Sequence, residues 1–274
     1  MTSNESDSSP GSVPPGPGEP AIASFPETTA GRRDAPPIRV WALALTAGLV
    51  AAFASWLIGE AFHDRLRPRL LSTGGIPTVD EARESANGIR AAVALQSSVA
   101  FGSLGAALGL ALGLAGGAAR RSARSGMIGA ILGTILGGVA GALTPQVLLP
   151  LYFRFYDPDR DDLLLAIVIQ GGLGAVVGAV GGASFAIGNR SPVARGLLGG
   201  LLGAVGGVVI YEVVGALAFP LDQTTKPISA TAGTRLLGRI MVASLAAAGA
   251  AKSAGAARIG QGGAKMSAPR TRVG

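Results

Sequence analysis

The sequence predicts an all-α membrane protein, a six-span transmembrane helical bundle with glycine-zipper packing. Three observations predict it. Only 14% of the 274 residues are charged, against roughly 25% in soluble domains, and mean hydropathy is +0.46. Uncharged apolar runs recur along the chain, most of them long enough to cross a hydrocarbon core of about 30 Å at about 1.5 Å per residue. Glycine supplies 43 residues, more than twice the ~7% average, and falls inside those runs at fixed spacing.

Composition also excludes chemistry. There is no cysteine and only one histidine, His63, so disulfides, thiolate sites and multi-histidine metal sites are ruled out. Neither a cofactor nor a metal is expected. The net charge of +7 does not read as a nucleic-acid footprint. The basic residues sit beside apolar runs, where orientation signals sit, so the expected partner is the lipid bilayer and not nucleic acid.

Residues 1–38 hold eight of the seventeen prolines and little that can be buried, which predicts a disordered tail. The first apolar run begins only at Val40 after a proline-rich, acidic stretch, so no signal peptide is expected. The predicted spans are 40–62, 91–118, 127–152, 163–187, 196–219 and 236–251, followed by a second, basic disordered tail over 256–274. Spans two to four carry no charge at all, unlike the alternating faces of soluble amphipathic helices. The sixth is shortest and contains Arg239. Beyond the membrane, Thr78 is a candidate N-cap for a helical extension of span two that starts at Val79.

Basic residues set the orientation. With six spans, the side holding both termini carries thirteen Lys and Arg, and the other side nine. The positive-inside rule then places both termini in the cytoplasm, in a bacterial inner membrane. Trp41 and the cluster Tyr152, Phe153, Phe155 and Tyr156 fall where interfacial aromatics belong.

The glycines form rows four residues apart. They are Gly105, Gly109, Gly113 and Gly117 in span two, and Gly129, Gly133, Gly137 and Gly141 in span three. Span four has Gly174, Gly178 and Gly182, and span five has Gly199, Gly203 and Gly207. Such a row lies on one helix face. Each glycine costs ~1 kcal/mol against alanine in a water-exposed helix, but in hydrocarbon the helix persists and the row becomes a groove for a second backbone. Span one has a gentler version, Ala47, Ala51, Ser55 and Gly59. The rows resemble those of glycine-zipper membrane proteins, which is a packing style and carries no activity. They also suggest an internal repeat: "GMIGAILGTILGG" aligns with "GLLGGLLGAVGG" at an offset of 70, and "LGAALGLALG" with "LGAVVGAVGG" at 69. Spans two and three and spans four and five are therefore predicted to be a duplicated hairpin.

The candidate site residues are the polar groups inside spans. Glu212 lies in "VVIYEVVGALAF", about 10 Å from the end of span five. Arg239 lies at nearly the same depth in span six. An intramembrane ion pair between them is predicted, because a lone carboxylate there costs ~2.5–3.5 kcal/mol. A structural clasp is its plain reading and a proton or ion relay its sharper one. Gln96, Thr134, Thr144, Gln170 and Tyr211 are expected to make hydrogen bonds between helices, or alternatively to line a polar path. "YDPDRDD" starts like a calcium loop, but Asp162 and Val168 occupy the turn-glycine and bidentate-glutamate positions. "GLGAVVG" and "GAAKS" miss the spacing of phosphate-binding loops. No catalytic constellation is found, so the chain is not expected to be an enzyme. The expected role is structural or in assembly, with glycine-lined grooves binding a membrane-protein partner or a second copy. The alternative is a small transporter or channel using Glu212, Arg239, Gln96 and Gln170.

Overall fold

The computed structural model describes residues 37–66, 78–155, 163–219 and 229–266, with backbone alone at 37, 64 and 256–266. Among them there is no strand. Six helices follow one another: α1 Pro37–His63, α2 Val79–Ala119, α3 Ala123–Phe155, α4 Leu163–Asn189, α5 Val193–Ala218 and α6 Ala232–Met266, with one 3-10 turn at Asp64–Leu66. All six are long and apolar enough to cross a membrane, so the chain has the architecture of a multi-pass membrane protein. The expected tail at 1–38 lies outside the described residues up to 36, as does the aspartate-rich "YDPDRDD" stretch.

Each helix reproduces a predicted span, most of them with longer ends; α5 stops at Ala218, one residue short of its expected end. Thr78 caps α2 in a reciprocal box: its hydroxyl accepts from the Glu81 N–H at 3.3 Å, and its own N–H donates to Glu81 Oε2 at 2.8 Å. Pro145 and Pro150 lie inside α3, which runs through both to Phe155. The sixth helix continues to Met266, past the expected end at 251 and eleven residues into the expected tail. The run there contains no proline before Pro269, so no residue in it lacks the backbone N–H a helix needs.

Helices α2 and α4 form the middle of the bundle, each packed on α1 or α5 as well as on α3, α6 and one another. Leu104, Leu108, Leu112, Val177 and Phe185 are buried between them. The outward faces remain apolar. Ile131, Ile135, Leu136 and Val139 of α3 are all more than half exposed, a surface suited to lipid and not to water.

Most row glycines are pressed against backbone. A Cβ on Gly105 would collide with the Gly137 carbonyl, and one on Gly109 with that of Gly133. In the second hairpin Gly178 meets the Gly200 carbonyl and Gly182 that of Gly196. The row Gly199, Gly203 and Gly207 faces α6 instead, against the carbonyls of Gly249, Leu245 and Met241. Hence α5 is gripped on two faces, by α4 along residues 196, 200, 204 and 208, and by α6 along 199, 203 and 207.

One aromatic expectation needs correcting. Tyr152 is buried, with Leu149, Ile169 and Leu173 around it, whereas Phe155 is exposed. Tyr152 follows Leu149 and Pro145 on the inner face of α3, and that face, not its depth, decides its burial.

Candidate functional site

The polar groups gather at the end of the bundle away from the two tight inter-helix turns at 120–122 and 190–192. Here the inner rows stop being glycine or alanine: α4 changes from Gly174 to Gln170, α5 from Gly207 to Tyr211, and α6 from Ala243 to Arg239. Larger side chains hold the backbones apart, and a cavity of about 80 Å³ opens between α2, α4, α5 and α6. Its apolar wall includes Phe101, Leu104, Val208 and Val242, and its polar wall Gln170, Tyr211, Thr234, Arg235 and Arg239. A smaller space of about 20 Å³ lies toward α1, lined by Gly59, Glu60, His63 and Gln96 among others. Arg235 and Arg239 line both.

Four of the residues singled out in the sequence therefore converge: Gln170, Tyr211 and Arg239 on the larger cavity, Gln96 and Arg239 on the smaller. Gln96 Nε2 donates to the His63 carbonyl at 3.2 Å, an α2-to-α1 bond. The Tyr211 ring packs where a Cβ on Gly238 would stand, 3.3 Å away. Thr134 and Thr144 do not join helices. Their hydroxyls donate back to Ala130 at 2.7 Å and Ala140 at 2.6 Å within α3.

The predicted Glu212–Arg239 pair does not form. Both are buried, but both Glu212 oxygens and Arg239 Nη1 lack any hydrogen-bond partner. The depths match; the directions do not. Glu212 is the next position on the α5 row that faces α4, after 196, 200, 204 and 208. Arg239 begins the α6 row that faces α1, its guanidinium lying against Gly59 and the following Ala243 and Ala247 against Gly48. Tyr211, on the α6-facing row, occupies the seam between them.

The ion pair that does form is one the sequence reading missed. Arg235 Nε and Nη2 reach the two Glu60 carboxylate oxygens, each at 2.7 Å, in the forked geometry that suits a guanidinium. Arg235 Nη1 also donates to the carbonyls of Ser229 and Ala230 at 2.9 Å. The signal was present: Glu60 stands three residues before the end of α1 and Arg235 three after the start of α6. Nearby, Trp56 Nε1 donates to the Ala232 carbonyl at 3.1 Å, tying the same two helix ends together.

At the turn end the two hairpins are bonded to each other: Arg120 Nη1 donates to the Asn189 carbonyl at 3.1 Å and Ser125 Oγ to the Gly188 carbonyl at 3.0 Å. No protein-family model matches the chain, and neither a curated protein nor a solved structure matches it.

Proposed function

We propose that this chain is a non-enzymatic bacterial inner-membrane protein, with both termini cytoplasmic, that binds a small polar solute as a carrier or channel does. One observation carries the reading: Gln170, Tyr211 and Arg239, from three different helices, meet at one partly apolar cavity. Ligand sites in helical bundles have this form, with a few convergent polar groups in an apolar wall. The cavity opens at the end that the charge count assigns to the outer side of the membrane.

The reading as a scaffold with partner-binding glycine grooves has less support. Gly105, Gly109, Gly178, Gly203 and their row neighbours are already filled by other helices of the same chain. The glycines thus serve the bundle itself. The matched glycine segments favour descent from a duplicated hairpin. So does an identical turn in the two copies, with Arg121 and Arg190 both at positive φ.

Proteoliposomes test the function. Saturable uptake of a small polar solute is expected, falling roughly tenfold in Gln170→Leu, the worth of about one hydrogen bond to a charged or strongly polar group. Uptake no faster than in protein-free vesicles, across neutral and charged solutes alike, would remove the carrier reading. The scaffold reading would then stand.

A further inference from the structure

Arg239 is a buried cation with an unmet valence. It is only 9% exposed, and its Nη1 has no hydrogen-bond partner. A second guanidinium, Arg235, stands one helical turn away on the same face of α6. Arg235 is saturated, with Glu60 on two nitrogens and backbone carbonyls on the third. Glu60 gives its hydrogen bonds to Arg235 and reaches Arg239 only by a longer-range attraction. The other carboxylate inside the described bundle, Glu212, is absent from both cavity walls and continues the α5 row whose earlier members pack on α4. Among the described residues, Arg239 is thus a buried cation with no carboxylate hydrogen-bonded to it.

A buried charge left unpaired costs several kcal/mol, and a guanidinium satisfies it best with an oxyanion. We infer that the cavity binds a small organic monocarboxylate, with its carboxylate on Arg239 and its short alkyl part against Phe101, Leu104, Val208 and Val242. This rests on the solute-binding reading above and names the substrate class. Three features select that class. Among the described residues, one cation without a hydrogen-bonded carboxylate matches a monoanion, whereas a phosphate dianion would need a second. The apolar wall suits a carbon chain and not an inorganic ion. The size also fits: a cavity of about 150 Å³ holds benzene, and this one is about 80 Å³, room for two to four heavy atoms beyond water size.

The test uses the full chain in phosphatidylcholine nanodiscs. Propionate is compared with propionamide, its uncharged isostere, and with inorganic phosphate, by titration calorimetry and by ligand-induced shifts of thermal unfolding. Propionate is expected to bind roughly tenfold or more tighter than propionamide, the worth of one charge-assisted contact. Arg239→Gln should abolish that difference, and Arg239→Lys should retain part of it. The wild-type comparison stands even if the Gln variant fails to fold. Equal binding of propionate and propionamide would overturn the anion assignment and leave the solute-binding reading intact. Phosphate binding as tightly as propionate would overturn the carboxylate assignment. Binding of neither organic solute would remove both readings.

Discussion

The hairpins α2–α3 and α4–α5 share a turn and differ in register. Both turns end their first helix identically: Ser122 N–H donates to the Gly117 carbonyl and Ser191 N–H to the Ala186 carbonyl, each at 2.9 Å. Beyond the turns the pairings part. Gly102 lies 3.1 Å, Cβ to Cβ, from Ala142, yet at their sequence counterparts a Cβ on Gly171 would meet nothing within 4 Å, and Glu212 is not its neighbour. In α3 one row serves two helices, since Gly133 meets Gly109 of α2 and Ser184 of α4. In α5 the work is split, with 196 and 200 against α4 and 199, 203 and 207 against α6. A glycine row thus marks a face of close approach without naming what approaches. The doubled glycines of "GLLGGLLGAVGG" let α5 turn a different row to its hairpin partner, and that turn carries Glu212 away from Arg239.

The largest predicted effect follows from that division. Gly133→Leu breaks two interfaces at once and is expected to cost more than about 3 kcal/mol, the upper range for overpacked cores. It should remove most of the protein from the membrane fraction. Gly203→Leu strains α5 against α6 alone and should be milder. Gly206→Ala, where an added Cβ meets nothing within 4 Å, should gain up to ~1 kcal/mol. Wild-type abundance of Gly133→Leu would show that the shared row is dispensable.

The register difference has its own readout, because the chain has no cysteine. A Gly102→Cys/Ala142→Cys pair starts within a few tenths of an ångström of disulfide Cβ separation, about 3.5–4.5 Å, and should close on oxidation. The counterpart pair, Gly171→Cys/Glu212→Cys, should stay reduced. Closure of both would restore one register to both hairpins.

At the next scale stands Glu212 itself, where the first hairpin has Ala142. With both oxygens unpartnered, its replacement by an apolar side chain of similar volume should be neutral or stabilising by about 1–4 kcal/mol. Glu212→Met is therefore expected to melt at or above the wild-type temperature. A clear fall would mean that the carboxyl has a partner in the membrane.

These outcomes mark where the sequence was legible. Span number and position follow from summed hydropathy, and each of the six predicted spans lies within or ends one residue beyond an observed helix. Depth follows from counting at about 1.5 Å per residue; it paired Glu212 with Arg239, and the same count applied to Glu60 and Arg235 puts them level as well. Azimuth was not legible. Neighbouring residues point 100° apart, so Tyr211 and Glu212 differ little in depth and face different helices. The rotation of α5 depends on which of two glycine rows each neighbour takes, and both rows look alike in the sequence. The cavity was hidden for the same reason, being the sum of four azimuths.

The smallest predicted effect tests what the hairpins have in common. Arg121 and Arg190 adopt φ of 54° and 51°, the left-handed conformation that helix ends usually give to glycine. An ordinary L-residue there is disfavoured by roughly 1–2 kcal/mol, and Arg121→Gly and Arg190→Gly should each recover up to about 1 kcal/mol after the added freedom of the unfolded chain is offset. Because the two turns share the backbone bonds that end their first helix, the two gains should be similar. A strained arginine kept at both turns points to its charge, not its backbone, as the reason for its presence. Removing both still leaves more Lys and Arg on the side of the termini than on the other, so orientation should hold. Further loss of Arg120 and Arg124 would erase that excess, leaving nine on each side, and cysteine accessibility at 123 and 192 would report whether the bundle then inserts in both orientations.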